Sequence, residues 1–476
     1  MSDEQRREER VLRITTGSLY PLLVKMAIPS MIGMIVSTAY NLTDTYFVGK
    51  LNDAVLTAAV GVVFSFVSVI QAIGFWIGYG SGNYISRMLG KKENEKAEEM
   101  AATGVLLAVF AGMILMGAGL VFLKPVAILM GAGEEAALLN ATMRYLRITV
   151  CSVPVMLLSN VLYNELRLAG SSKNSVIGLL AGMGINMILD PLFILKLDLG
   201  VEGAAYASFL GQVTGTILLY VQTCKNGNVP IRLRKARHDI GYLKIIFAGG
   251  APNFCRQGIS SISSVLVNRV AAGFSVEALA AVTITGKVAY IAYALVIGFG
   301  QGFQPICAMN YGAKKIGRIR KAFFMTLITV TVFLLLATAV LVLKGEAILG
   351  AFTEEETVLI LSKRILQAQC VVLPFMGYYI LIGMLLQNIG RFALATSVTT
   401  LENGFCLIPS LYMNCYLFGE NGLVWYKPVA GGAALLISLF IGTYAWRKYL
   451  GEEVSKGKIC KTTEKGVLGN EISESL

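Results

Sequence analysis

Long apolar runs recur along the whole chain, separated by short polar stretches. Twelve are read, near 20–46, 55–83, 99–123, 137–163, 173–197, 203–224, 242–270, 279–308, 320–343, 359–387, 391–417 and 424–446. Each holds roughly 20 residues or more, enough to cross the hydrocarbon of a bilayer as a helix. A membrane barrel would need strands of alternating polar and apolar residues, which these runs lack. The predicted fold class is therefore an all-α polytopic membrane protein of about twelve transmembrane helices. The first 20 residues are polar and charged, so no cleavable leader is expected, only a tail over 1–18.

Composition agrees with the pattern: 55% of the 476 residues are hydrophobic and 15% charged, and the mean hydropathy is +0.66. The net charge of +12 could suggest nucleic acid, but its distribution argues against that partner. Bases gather at alternate loops: Arg6, Arg7, Arg10 and Arg13; Arg87, Lys91, Lys92 and Lys96; Arg167 and Lys173; Arg232, Arg234, Lys235 and Arg237; Lys314, Lys315, Arg318, Arg320 and Lys321; Arg447 and Lys448. The loops between carry about one base each, such as Lys124 and Lys427. This positive-inside pattern places both termini in the cytoplasm and predicts a multi-pass protein of the plasma membrane. The Cys residues are scattered without CxxC spacing, and His238 is the only His. No metal, disulfide or cofactor is expected, and no enzyme motif is present.

The chain also repeats itself. At an offset of 220, "LKPVAILMGAGEEAALLNATMRYL" from Leu123 matches "LKGEAILGAFTEEETVLILSKRIL" from Leu343, and Pro154/Pro374 and Gly170/Gly390 keep the register. "LGKKENEKA" at Leu89 resembles "YGAKKIGRIRKA" at Tyr311. Two pseudo-symmetric six-helix lobes are predicted, 19–225 and 242–449, joined by a cytoplasmic linker over 226–241 and followed by a tail over 450–476. An even-numbered repeat gives both lobes the same orientation, and a cleft between such lobes is the physical basis of alternating access.

Polar groups inside these runs need a reason, because a charge in hydrocarbon costs several kcal/mol. Asp44 shares a helix face with Tyr40. Asn186 and Asp190 have the same four-residue spacing, and Pro191 removes a helix hydrogen bond just after them. Ser208 adds a hydroxyl in the next run. Such oxygens suit a proton or a sodium ion. Asp44 could instead cap a helix end, and Asp190 could be satisfied by neighbouring helices. Asn160 and Asn164 share a face in the fourth run, where interhelical bonding explains them as well as binding does. Glu402 is an acid of the second lobe that Arg256 or Lys287 could neutralise; a buried ion pair or a substrate contact are its two readings.

With "YNLTDTYFVGKL", "NMILDPLFI", "GVEGAAYAS" and "NYGAKK" in this order, after the proline of "MAIPS" (Pro29), the chain resembles the multidrug and toxic compound extrusion (MATE) family. The resemblance covers about residues 15–450. It implies a V-shaped bundle, expected to work as a monomer in the lipid bilayer. It also implies export of drugs, dyes and other amphipathic cations by antiport with protons or sodium, and hence a role in antibiotic resistance. Asp44, Asn186 and Asp190 match the family's N-lobe site. Ser208 stands where the family has Thr, and Pro29 matches the proline at which the first helix bends. The seventh run has Ser260 where some relatives carry an acid, so coupling through the N-lobe is expected. The alternative is a flippase for lipid-linked precursors from the same superfamily.

Overall fold

A computed structural model describes residues 2–49, 53–133, 135–197 and 199–451; the side chains of residues 37–49, 54 and 195 lie outside that description. Among the described residues the chain is helical, without strands. Helix α1 (Asp3–Thr16) opens with a capping box in which Ser2 and Gln5 satisfy each other's backbone amides. The first half then runs through α2 (Leu19–Gly49), α3 (Ala54–Lys91), α4 (Asn94–Val121), the short α5 (Leu123–Ala127), α6 (Ala136–Leu168), α7 (Ser172–Pro191) and α8 (Gly200–Thr223). The second half holds α9 (Ile240–Ala272), α10 (Val276–Gly312), α11 (Ile316–Gly350), α12 (Glu356–Val372), α13 (Met376–Asn388), α14 (Phe392–Thr400), α15 (Leu407–Phe418) and α16 (Gly422–Leu450).

Among the described residues ten helical stretches are long and apolar enough to cross a bilayer. One of them, Phe392–Leu450, contains two crossings, because the chain reverses at Gly419, whose φ is +57°. Helix α9 has the length, at 33 residues, but carries Lys244, Asn253, Arg256 and Arg269. With these two additions the crossings number twelve. Two crossings are broken helices: α12 and α13 meet at a 3-10 turn over Leu373–Phe375, and α14 and α15 at a π-helix over Leu401–Cys406.

The internal repeat reappears as matched helix ends. Gly170 (φ +80°) and Gly390 (φ +83°) both leave their helix in the left-handed region. In each case the amide of the glycine and that of the next residue bond back to the last turn: Gly170 to Arg167 and Ser171 to Leu166, Gly390 to Gln387 and Arg391 to Leu386. This is the Schellman pattern. Lys92 (φ 64°) and Lys314 (φ 58°) repeat it at the ends of α3 and α10. Left-handed lysines are uncommon, so a matched pair is a strong mark of common design.

All four caps lie toward one face of the bundle, which also carries α1 and Leu450, the end of α16. There Arg320 Nε donates to Leu450 O at 2.5 Å. Helix α1 crosses this face. Its Arg7 pairs with Glu98 of α4 at 3.2 Å, and the carbonyl of Thr15 accepts from Lys315 Nζ at 3.0 Å. The linker is tied down beside it, Lys235 to Glu98 at 2.9 Å and Arg237 Nε to Glu99 at 2.9 Å.

The two halves meet toward this same face. Helix α3 packs along α9 and α10, and α2 along α10. The approach of α3 and α9 is close enough to need glycine from both sides. A Cβ on Gly80 would collide with the carbonyl of Ile246, and one on Gly250 with the carbonyl of Trp76. Across the same seam, Asn83 Nδ2 donates to Gln387 O at 3.1 Å and Asn388 Oδ1 at 3.2 Å.

Candidate functional site

Helix α7 carries Asn186 and Asp190 one turn apart, and both are fully buried. Burial follows from glycine packing: a Cβ on Gly211 of α8 would stand 2.6 Å from the carbonyl of Gly182, so the two helices cross nearly backbone to backbone. That crossing brings Ser208 to the pair. The Asn186 amide donates from Nδ2 to Asp190 Oδ1 at 3.1 Å and to Ser208 Oγ at 3.3 Å. Its own Oδ1 is buried without a hydrogen-bond partner. After Pro191 the helix relaxes into a π-helix over Leu192–Lys196, as the missing proline N–H requires. The structure thus brings together three of the residues that the sequence singled out. The side chains of Tyr40 and Asp44 lie outside the described residues; the α2 backbone that bears them packs along α7.

Pro29 lies inside α2, which continues as one helix through it. Its missing N–H leaves a gap in the hydrogen-bond ladder, and Ser30 Oγ turns back to Met26 O at 3.2 Å. The residues on either side form the seam with the second half: a Cβ on Gly302 would meet Ala27 and one on Gly298 would meet Met31. The weak point of α2 is therefore its point of contact with the opposite half, and the same helix lies against α7.

The second half carries a different polar group. Glu402 occupies the π-helix of the eleventh crossing, beside the Tyr379 phenol and the charges of Lys427 and Arg256. Arg256 Nη1 donates to Tyr293 Oη at 2.7 Å. Of the two bases expected to neutralise Glu402, Arg256 is among the groups acting on it. Among the described residues no ion pair of Glu402 lies within 4.0 Å, and the Tyr379 phenol lies close to it. Lys287 is exposed and is not among the groups acting on Glu402, because it points away on α10. Lys427 takes that place. Its reading as a loop base fails because α16 starts at Gly422 and carries Lys427, half-buried, inside the helix. The twelfth apolar run, read from 424, already enclosed it, and that was the available signal. Tyr379 and Tyr293 gave none among 20 tyrosines.

Arg167 is likewise no loop base. It is fully buried, and its Nη1 reaches across the seam to Gln301 O at 3.0 Å and Gln304 Oε1 at 2.9 Å of α10. Asn164 Oδ1 accepts from Nη2 at 3.0 Å, and the guanidinium stands 5.0 Å from the ring centre of Tyr79. Asn164 thus orients a cation, while Asn160 Nδ2 donates to Met156 O at 2.9 Å within its own helix. Neither asparagine joins the α7 site.

Two halves with matched caps, a buried acid and amide on a glycine-packed helix pair, and a proline-bearing helix between that pair and the opposite half define a class: duplicated polytopic helical membrane proteins with a hinged seam. The MatE family model matches residues 29–192 and 252–413, and the chain belongs to this family. It is 26% identical over 452 residues to the multidrug export protein MepA of Staphylococcus aureus, covering 94% of this chain and 99% of that one. To MepA of Staphylococcus haemolyticus it is 26% identical, with 93% and 97% covered. Among solved structures, a MATE crystal structure in the bent conformation superposes with a TM-score of 0.84 at 22% identity, over 93% and 97% of the two chains. An outward-facing multidrug resistance MATE transporter gives 0.84 at 23%, over 91% and 97%. α1 and the whole linker lie outside the two matched segments.

Proposed function

We propose that the chain exports amphipathic cationic compounds across the plasma membrane in exchange for protons, with the termini in the cytoplasm. The observation that carries the coupling is the buried Asn186–Asp190–Ser208 group. A carboxylate in hydrocarbon is stable only when neutralised or well paired. Asn186 turns its N–H side, not its carbonyl, toward both oxygens, which favours a proton over a sodium ion needing several converging oxygens. Multidrug export by relatives that align over nearly the whole chain supports the drug side of the exchange.

In this reading the seam closes the cytoplasmic side and the cleft opens outward. A proton arriving from outside neutralises Asp190. The polar demand on the α2–α7 contact then changes, and α2 bends where its ladder is already broken, at Pro29. Bending disturbs Ala27 and Met31 against α10 and so transmits the event to the opposite half. Drug and proton compete through their preference for different conformations. Trp76, stacked on Phe254 at 4.2 Å between ring centres, offers an aromatic floor for a cation.

The test uses proteoliposomes with an imposed proton gradient and a fluorescent cationic dye. Asp190→Asn should lower gradient-driven transport about tenfold or more, about 1.4 kcal/mol or more in the coupled step, with the protein still folded. Ser208→Ala should cost less, because a proton does not need the full set of oxygens. Undiminished proton-driven transport by Asp190→Asn, or transport of anionic lipid-linked compounds alone, would overturn the reading.

A further inference from the structure

One buried acid takes no part in the site above. Glu165 of α6 is 5% exposed and sits one turn before the end of its helix, near the face that α1 crosses. Ser81 lies beside its carboxyl, and Oε1 has no hydrogen-bond partner among the described residues. It is aimed at α4, where Gly104 makes room for it: a Cβ there would stand 2.5 Å from Oε1. Beside it is a cavity of about 10 Å³, lined by Ile85, Ala101, Leu166, Ala169, Thr223 and Val229 as well as Glu165, on the order of one water molecule.

Among the described residues no charged partner answers this carboxyl. α3 turns Ser81 and Ile85 toward it, α4 Ala101 and Gly104, α8 Thr223, and the linker Val229. The acids one turn earlier on α4 are engaged elsewhere, Glu98 with Arg7 and Lys235, Glu99 with Arg237 and Tyr242. Arg167, two residues on, is committed to Gln301, Gln304 and Asn164. An ionised carboxylate held so would be a buried charge without compensation.

We infer that Glu165 is a second proton-binding site, at the closed end of the first half, whose carboxyl holds a proton while the seam is shut and surrenders it to water when that face opens. The step is a plain acid dissociation: the O–H bond breaks, the proton passes to an entering water, and the carboxylate is stabilised by the hydration that opening admits. The site lies at the opposite end of α6 and α7 from Asp190, so it reports on the face that Asp190 does not reach. Protonation favours the shut seam and rising pH favours the open one. The inference does not require that Asp190 couple transport.

The experiment is difference infrared spectroscopy of the full protein in lipid, with seam opening followed in parallel by thiol labelling of a Cys at position 83 in a Cys-free background. The wild type should show a protonated carboxyl band at neutral pH that Glu165→Gln removes and Asp190→Asn leaves in place. Labelling should rise several-fold with pH in the wild type and become independent of pH in Glu165→Gln. Glu165→Asp, which keeps the acid, should retain a pH-dependent rise at a displaced midpoint, and it decides the matter if the Gln variant fails to reach the membrane. An unchanged band or an unchanged labelling profile in Glu165→Gln would overturn the inference, as would a pH-independent profile in Glu165→Asp. Loss of drug transport in Asp190→Asn with the Glu165 band intact would separate this site from the coupling site.

Discussion

The α7 site of the first half and the Glu402 group of the second solve the same problem differently. Asp190 accepts from the Asn186 amide, and in the proposed exchange a proton is what neutralises it. Glu402 lies among Tyr379, Arg256 and Lys427, fixed groups that act on its charge. The two halves share caps, yet their interior polar groups differ, and in the proposed exchange that asymmetry supplies direction.

That contrast is sharpest in transport. Glu402→Gln should retain more than about half of the activity that Asp190→Asn loses, measured side by side in the same proteoliposomes at equal protein. Equal losses would erase the distinction between the halves. The next largest effect belongs to the seam. Gly250→Val places side-chain atoms against the carbonyl of Trp76 and should cost the shut state about 2 kcal/mol, a shift of about thirtyfold toward opening. Cysteines at 83 and 388 in a Cys-free background report it: they should crosslink readily in the parent and poorly in the variant.

Stability tests the second half alone. Lys427→Met withdraws one compensating charge from Glu402 and should cost about 1–3 kcal/mol, read as a lower Tm in detergent. Adding Glu402→Gln should restore much of that loss, since the charge needing compensation is gone. The smallest effect probes the shared caps. Gly390→Ala should cost about 1 kcal/mol through its left-handed backbone. Gly170→Ala should cost more, because a Cβ there would also meet Ile14 of α1 at 2.6 Å.

Twelve apolar runs, loop bases on one side and an internal repeat were legible in the sequence because each is a property of local composition or of register. The pairing of Asn186 with Asp190 was legible too, since one helical turn separates them. Ser208 could be nominated as an oxygen at membrane depth, and its seat beside Asn186 came from the glycine crossing of α7 and α8.

What only the tertiary structure decided is which charges end up inside and whom they meet. Arg167 and Lys427 read as loop bases by their distance from the centres of the runs, but packing of α6 against α10 buries the first and the early start of α16 carries the second to Glu402. The seam between halves follows the same logic. Gly80 and Gly250 are 170 positions apart, and neither has a side chain to announce a contact. Hydrophobicity along a chain decides that a segment enters the membrane, because that free energy is summed residue by residue. Which polar group finds a partner there depends on helix approach in three dimensions, where distances of a few ångströms separate a paired acid from one that has to hold a proton.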